Sequence, residues 1–147
     1  MKHILIALSA LAFAAAPVAA QETRASTDTT RATADATAAA LQWLALVDAG
    51  KHAASWDSAA TAFKQAVTAS TWESSVKQAR QAFEPFGERT LSSSQYTTSI
   101  PNAPAGEYVI LRFRTAVAGD THVTETVVPM REEDGSWKVS GYFVQPG

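Results

Sequence analysis

Few side chains in this sequence are of the types that carry out catalysis or bind metal. The chain has no cysteine, and His52 and His122 are the histidines that follow the first 20 residues. A structural zinc site takes four Cys or His ligands and a catalytic one usually takes three protein ligands. The sequence also lacks a phosphate-binding Gly-x-x-x-x-Gly-Lys loop, a Gly-x-Ser-x-Gly nucleophile turn and a dinucleotide fingerprint. We therefore predict no metal site, no cofactor and no assignable catalytic residue.

One carboxylate, Glu125, stands in the middle of a predicted strand, between Val123 and Val127. Such a group inside a concave sheet would serve as a general base. The alternative, which we favour, places Glu125 on the outer face of a sheet, where it pairs with Arg114 across two strands. A cross-strand pair of this kind contributes up to about 1 kcal/mol.

Aromatic side chains supply a second candidate, a ligand pocket. The sequence contains four tryptophans, and tryptophan at helical spacing is more often core than ligand site. We expect any pocket to lie where helices meet the sheet and to take a small apolar ligand. Its predicted walls are Trp56, Tyr96, Thr126 and Trp137, with His52 near the mouth.

The helices that would position these residues follow residue 33. Apolar residues at three- and four-residue spacing predict helices over about 34–49 and 53–67, and a third from Ser70 to just before Pro85. Gly50 is expected to form a left-handed cap after the first helix. Ser70 and Glu73 have the spacing of a capping box at the start of the third.

From Glu88 onward the apolar period changes from 3.6 to 2, which predicts four antiparallel strands with a bulge among residues 92–95. Two-residue loops at 119–120 and 134–135 would pair Leu111 with Val128 and Met130 with Val139. Both registers place one set of residues on a single core face: Val109, Leu111, Phe113, Val128, Met130, Trp137, Val139 and Phe143. The predicted fold is α+β, with three N-terminal helices packed on one face of a curved, cone-like four-stranded antiparallel sheet.

In this register the other sheet face is also rich in apolar residues, namely Ile110, Val123, Val127, Tyr142 and Val144. A contiguous exposed apolar patch marks an interaction surface. We therefore expect this face to pair with a second copy of the chain in an isologous homodimer.

The N-terminus has the pattern of a secretory signal peptide. A basic start is followed by a 13-residue run over 4–16 that only Ser9 interrupts, and then by Pro17, Val18 and Ala20. The run is shorter than the roughly 20 residues of a membrane span, so we predict cleavage after Ala20 and no stable membrane anchor afterwards. Residues 21–33 lack large apolar side chains and are expected to form a flexible leader. Residues 34–147 would then form a single domain in the periplasm or outside the cell.

Charge excludes one class of partner. Once Lys2 is removed with the signal peptide, 11 basic and 14 acidic side chains remain, without a basic cluster larger than Arg112 with Arg114. Nucleic-acid binding needs a positive footprint, so no nucleic-acid partner is expected.

Several segments resemble a bacterial family called domain of unknown function 4019. They are Leu44–Gly50 followed by Ala54–Trp56, the runs at 107–109 and 125–127, and the ending Gly135–Phe143. The layout also resembles the nuclear transport factor 2-like, or cystatin-like, superfold. The first resemblance implies a small exported protein without an assigned activity. The second implies a curved sheet that can enclose a pocket, although fold alone does not determine function.

These observations favour an exported binding or interaction module rather than an enzyme. The alternative is a small periplasmic lyase, isomerase or hydrolase that uses carboxylate and tyrosine groups in the pocket between helices and sheet. A pocket with two convergent titratable groups would favour the enzyme.

Overall fold

The computed structural model describes residues 18–147, and the side chains from Gln21 onward. The predicted signal peptide, residues 1–20, therefore lies almost entirely outside the described residues. The helices are α1 (Val18–Asp48), α2 (His52–Asp57), α3 (Thr61–Ala66) and α4 (Ala69–Arg80). The strands are β1 (Arg89–Thr97), β2 (Tyr108–Val117), β3 (Thr121–Arg131) and β4 (Trp137–Pro146).

The strands form one open antiparallel sheet in the order β1-β2-β3-β4, and the N-terminal helices pack on one of its faces. The predicted α+β class is confirmed. The apolar stripe of α1 is also confirmed, because Ala36, Ala40 and Leu44 have no accessible surface. The bulge in β1 falls between Leu91 and Ser93, close to its predicted place.

The predicted second helix is two short helices instead of one. Ala60 has an extended backbone (φ −59°, ψ 149°), and its N–H donates to the carbonyl of Val139 at 2.8 Å. A hydrogen bond to β4 thus replaces a helical one and breaks the helix between α2 and α3. The apolar periodicity survives the break, which is why the sequence alone did not show it.

Local capping sets two helix ends, the C-terminal end of α1 and the N-terminal end of α4. Gly50 adopts φ +72°, the left-handed conformation predicted for it. The predicted capping box of Ser70 and Glu73, however, is wrong. The N-cap of α4 is Thr68, whose Oγ1 accepts from the backbone N–H of Thr71 at 3.2 Å, whereas Glu73 pairs with Lys77 on the helix surface.

Residues 21–33, for which we expected a flexible leader, form the N-terminal part of α1, with nearly every side chain exposed. Threonine hydroxyls there donate to carbonyls four residues earlier, as Thr29 does to Ala25 at 2.9 Å. Among the described residues, no helix combines the length and the hydropathy needed to cross a membrane.

The loop between β2 and β3 has three residues, Ala118–Asp120, and not two. Gly119 (φ 74°) and Asp120 (φ 54°) both take the left-handed conformation, which Gly and Asp tolerate best. As a result Leu111 pairs with Val127 rather than with Val128. A shift of one residue moves every side chain of a strand to the opposite face.

This shift corrects several predicted positions. Val123 and Val127, expected at an outer interface, are buried in the core, and Tyr142 packs against it. Ile110 and Val144 are half-buried. In the second hairpin Thr126 pairs with Phe143 as predicted, but a bulge after Val128 pairs Val139 with Pro129. Of the predicted core face, Val128 and Met130 are only half-buried and Phe143 is 59% exposed. Trp137 is half-buried as well, but it packs against the core.

Candidate functional site

Six polar side chains, one from each of six elements, meet at one end of the interface between helices and sheet. We call this group the ionic cluster. Its members are Asp48 (α1), Arg80 (α4), Arg89 (β1), Thr115 (β2), Glu125 (β3) and Tyr142 (β4).

Glu125 lies at the centre of the ionic cluster and has no accessible surface. Thr115 Oγ1 donates to its Oε2 and Tyr142 Oη donates to its Oε1, both at 2.6 Å. Arg89 contacts both carboxylate oxygens, and Arg80 Nη1 lies 3.4 Å from Oε1. A buried charge is tolerated only when it is paired and hydrogen-bonded, and Glu125 meets both conditions.

Asp48 supplies the second carboxylate. It accepts from Arg80 Nη2 at 2.6 Å, and from Arg89 Nη1 and Nη2 at 2.8 and 3.0 Å. Burial by itself raises the pKa of Asp48, but the hydrogen bonds from Arg89 and Arg80 outweigh it, so the pKa lies below its ordinary value. Burial likewise opposes the charge of Arg89, yet its bonds to Asp48 and Glu125 raise its pKa. Two guanidinium groups thus balance two carboxylates.

Tyr142 remains a neutral donor in this environment. Its burial, and then the adjacent charge of Glu125, raise the pKa of the phenol far above the ordinary value of 10.0. Arg80 also lies over the ring of Phe86, 3.6 Å from the centroid, a cation–π contact. A surface depression of about 410 Å³, lined by Asp48, Arg80, Glu84, Pro85 and Phe86, leads to this side of the ionic cluster.

The ionic cluster has little capacity for chemistry, because its groups bond to one another. The favoured interpretation of Glu125 is wrong, since the residue is neither on the outer face nor paired with Arg114. The general-base alternative placed it on the inner side of the sheet, where it does lie, with both carboxylate oxygens bonded within the ionic cluster. Arg114 instead lies 2.9 Å from Nδ1 of His122. The arrangement ties helices to strands, and we assign it to stability.

Sequence reasoning missed Asp48, Arg80 and Arg89. One signal for Arg80 was present, because it continues the four-residue spacing of Trp72 and Val76, both buried on α4. A charged residue at a core position indicates a buried partner of opposite sign. The partner itself could not be identified, because Glu125 is 45 residues away in sequence.

A cavity of about 640 Å³ opens between the N-terminal part of α1 and one end of the sheet. We call it the α1–sheet groove. Its lining from α1 comprises Asp28, Thr29, Arg31, Ala32 and Asp35. Its lining from the sheet side comprises Tyr96, Glu107, Arg131, Gly135 and Trp137. The groove is thus mostly polar, whereas the sequence predicted an apolar pocket.

Within the α1–sheet groove, Glu107 is held from two sides. Tyr96 Oη donates to its Oε1 at 2.8 Å, and Arg131 Nη1 lies 3.2 Å from its Oε2. The hydrogen bond to Glu107, more than burial, raises the pKa of Tyr96. On the opposite wall of the groove, formed by α1, the side chains of Arg31 and Asp35 approach each other only to 4.0 Å. This distance is too long for a hydrogen bond.

The structure brings two of the five predicted pocket residues together, since Tyr96 and Trp137 both line the α1–sheet groove. The other three lie elsewhere. Trp56 packs against the core and its indole N–H donates to Val67 O at 2.7 Å. Thr126 points to the opposite sheet face from its buried neighbours in β3. His52 begins α2, and its buried Nδ1 has no hydrogen-bond partner within residues 18–147.

The other tryptophans fill the space between helices and sheet. Trp43 and Trp72 have ring centroids 5.4 Å apart, and both lie against Tyr142. Their indole N–H groups both reach Ser55, at 2.8 and 2.9 Å. In the part of the chain that the structure describes, no three His, Cys, Asp or Glu side chains are arranged to hold a metal ion.

Comparison with known proteins places this chain in a family but identifies no activity. Residues 39–142 match the family described as protein of unknown function (DUF4019). No curated protein matches the sequence. A solved structure from Catenulispora acidiphila is similar at 12% identity with a TM-score of 0.50, over 81% of this chain and 94% of that one. At this identity the likeness shows the fold alone, and resemblance to the cystatin-like superfold stays a prediction.

Proposed function

The chain belongs to the DUF4019 family, whose function is unknown, and we propose that it is an exported, non-catalytic binding module that holds a small ligand in the α1–sheet groove. The family assigns no activity to it, so the proposal is argued from the site. The signal-peptide pattern of residues 1–20 supports export, and we propose that cleavage follows Ala20.

The main support for the proposal is the unused indole N–H of Trp137. The indole N–H groups of Trp43, Trp56 and Trp72 each donate to an internal acceptor. Trp137 is half-buried, lines the α1–sheet groove, and makes no such bond among the described residues. A large aromatic ring with an unused donor at a cavity wall is suited to ligand contact, because ligand sites combine aromatic surface with a few polar groups.

The groove also has the dimensions of a ligand site. Its volume of about 640 Å³ lies within the range of about 300–1,000 Å³ typical of small-molecule pockets. Tyr96 stands in the same wall and is anchored by its bond to Glu107. The groove therefore has one aromatic residue whose polar group bonds within the protein, Tyr96, and one whose N–H is unused, Trp137.

The enzyme alternative has less support. A lyase, isomerase or hydrolase would need convergent titratable groups that a substrate can reach. The most convergent set in the described residues is the ionic cluster, and its central carboxylate has no accessible surface. The α1–sheet groove also brings a carboxylate and a phenol together, those of Glu107 and Tyr96, but they bond to each other and Arg131 contacts the carboxylate. This favours binding without catalysis.

Native mass spectrometry tests the proposal directly. The full chain would be expressed in a bacterium with its N-terminal segment intact, then purified under non-denaturing conditions from the periplasm or the medium. We expect a protein that starts at Gln21 and carries additional bound mass. The Trp137→Ala variant should lose this mass, and Phe143→Ala, on the opposite sheet face, should retain it.

Two results would overturn the proposal. Retention of the full chain in the cytoplasm would refute export. Equal bound mass on the wild type and on Trp137→Ala, or none on either, would refute ligand binding in the groove.

A second candidate is a homodimer through the outer sheet face. Phe143 is 59% exposed and shares this face with half-buried Ile110, Val128 and Met130. This set replaces the predicted interface, because Val123, Val127 and Tyr142 belong to the core side. Sedimentation at tens of micromolar should show a dimer that Phe143→Asp dissociates, whereas a strict monomer would exclude it.

A further inference from the structure

Resting on the proposed function, we infer that the ligand of the α1–sheet groove is a neutral, hydroxyl-rich molecule, a short oligosaccharide. The inference depends on three properties of the groove: its charge balance, its unused hydrogen-bonding groups, and its aromatic wall.

The charges that line the groove disfavour small ions of either sign. Three carboxylates, those of Asp28, Asp35 and Glu107, face two guanidinium groups, those of Arg31 and Arg131. An organic anion would meet the carboxylates, and an organic cation would meet the guanidinium groups. A neutral ligand avoids both penalties and still contacts donors and acceptors.

Several of these groups keep hydrogen-bonding capacity for a ligand. The contact of 4.0 Å between Arg31 and Asp35 leaves both side chains free to bond elsewhere. The Asp28 side chain is exposed and also lines the groove. A guanidinium group only donates and a carboxylate only accepts, whereas a hydroxyl group does both. A molecule with many hydroxyl groups can therefore donate hydrogen bonds to the carboxylates and accept them from the guanidinium groups.

On the sheet side of the groove, Arg131 also uses only part of its hydrogen-bonding capacity within the protein. Its Nη1 contacts Glu107, while its Nη2 and Nε lie beside Gly135, at 3.8 and 4.0 Å from where a Cβ would stand. Gly135 has no side chain beside this edge of the guanidinium, and the Arg131 side chain is 46% exposed. The Nη2 and Nε groups of Arg131 are therefore positioned to donate hydrogen bonds to a ligand in the groove.

The aromatic wall supplies the apolar part of the recognition. A sugar ring carries hydroxyl groups at its rim and C–H groups on its faces, and the C–H face packs on an aromatic ring. Trp137 offers such a ring together with an unused N–H, and Tyr96 lies in the same wall. The cavity of about 640 Å³ is larger than one sugar ring needs, which favours an oligosaccharide over a monosaccharide.

Titration calorimetry with four probes tests this inference on the purified full chain. The probes are tri-N-acetylchitotriose, maltotriose, spermidine as a cation and citrate as an anion. We expect saturable binding of at least one trisaccharide, with a change in tryptophan fluorescence, and no binding of spermidine or citrate. The two trisaccharides distinguish an amino-sugar polymer from a plain glucan as the source.

Two variants locate the binding. Trp137→Ala should weaken trisaccharide binding by about tenfold or more, a loss of about 1.4 kcal/mol. Arg31→Ala should weaken it as well, and it does not endanger the fold because the Arg31 side chain is 83% exposed. Phe143→Ala and Arg112→Ala, both on the outer sheet face, are matched controls and should bind as the wild type does.

The outcomes separate this inference from the proposed function. Binding of spermidine or citrate that depends on Trp137, without trisaccharide binding, would overturn the saccharide inference and leave the binding module standing. Equal trisaccharide binding by the wild type, Trp137→Ala and Arg31→Ala would overturn the groove as its site. Failure of all four probes would overturn the saccharide inference, while bound mass on the purified protein still decides the proposed function.

Discussion

Arg89 holds both carboxylate oxygens of Glu125, with its Nη2 3.2 Å from Oε1 and its Nε on Oε2. The contact joins the edge strand β1 to β3, with β2 between them in the sheet. Arg89 also bonds Asp48 at the end of α1. A single side chain thus connects the edge of the sheet, its interior and the longest helix of the described chain.

Neutralising Glu125 should destabilise the protein strongly. We expect Glu125→Gln to lower the free energy of unfolding by about 3 kcal/mol, because it leaves two buried or half-buried guanidinium groups with one carboxylate. Urea denaturation at low and at about 1 M salt, where the Debye length is about 3 Å, measures the change. The loss should persist at high salt, since the Glu125 side chain itself has no accessible surface.

A surface ion pair is the matched control. Glu73→Gln removes the exposed pair with Lys77, in which Nζ and Oε1 are 2.7 Å apart. We expect only a small loss, and high salt should reduce it. A loss in Glu125→Gln that salt abolishes in the same way would contradict the buried position of Glu125.

Asp48 should make stability depend on acid pH. Its pKa lies below the ordinary value of 3.8 in the folded chain, so the unfolded chain binds the proton first as pH falls. Its contribution is complete above about pH 5 and is lost as pH drops through the folded pKa. We expect Asp48→Asn to cost about 1–2 kcal/mol at neutral pH, since the group is partly exposed.

Denaturation curves from neutral pH down to about pH 2 test this dependence. The difference between the wild type and Asp48→Asn should be constant above about pH 5 and should shrink below about pH 4. A difference that stays constant down to the lowest pH would show that the Asp48 carboxylate is not ionised in the pairs with Arg80 and Arg89.

Tyr142 should make the stability of the protein fall as the pH rises into the alkaline range. Its folded pKa is raised above 10.0, so its contribution is present below that value and is lost as pH rises, when the unfolded phenol ionises and the folded one does not. Ultraviolet titration of the native protein should show phenolate forming at Tyr142 only with unfolding. In Tyr142→Phe this last step should be missing. Ionisation of Tyr142 near pH 10 in the folded protein would refute its burial beside Glu125.

The register of β3 is tested by two neighbouring valines. Val127 has no accessible surface and Val128 is half-buried on the other face. Val127→Ala should cost about 2 kcal/mol because it leaves a cavity, and Val128→Ala should cost less than about 1 kcal/mol. Chemical denaturation measures both variants. Equal losses, or a larger loss in Val128→Ala, would support the two-residue loop that the sequence suggested.

Much of the fold could be predicted because the signals were local. The spacing of Ala36, Ala40 and Leu44 indicated the buried face of α1, and those residues are fully buried. The change of period after Glu88 indicated the strands, and Gly50 indicated the end of a helix. Tyr96 and Trp137 were chosen because helix and sheet faces had to meet near them, and both line the α1–sheet groove.

The register was predicted incorrectly because Gly119 and Asp120 suit a two-residue loop and a three-residue loop equally well. Both residues tolerate the left-handed conformation, and the structure uses it at both positions. The choice depends on which face of β3 packs against the helices, and residues far from the loop decide it. Through that one-residue difference Glu125, Val123 and Val127 moved from the predicted surface to the core.

The sequence by itself determined the helical stripes, the strand segments and the class of fold, because apolar periodicity acts between residues a few positions apart. It also carried the export pattern and the resemblance to a family that the match over residues 39–142 confirms. Only the tertiary structure decided the ionic cluster and the α1–sheet groove. The partners Asp48, Arg80, Arg89 and Glu125 come from four elements, and no local spacing relates them. Their energy arises from burial and pairing, which exist only once the helices cover the sheet.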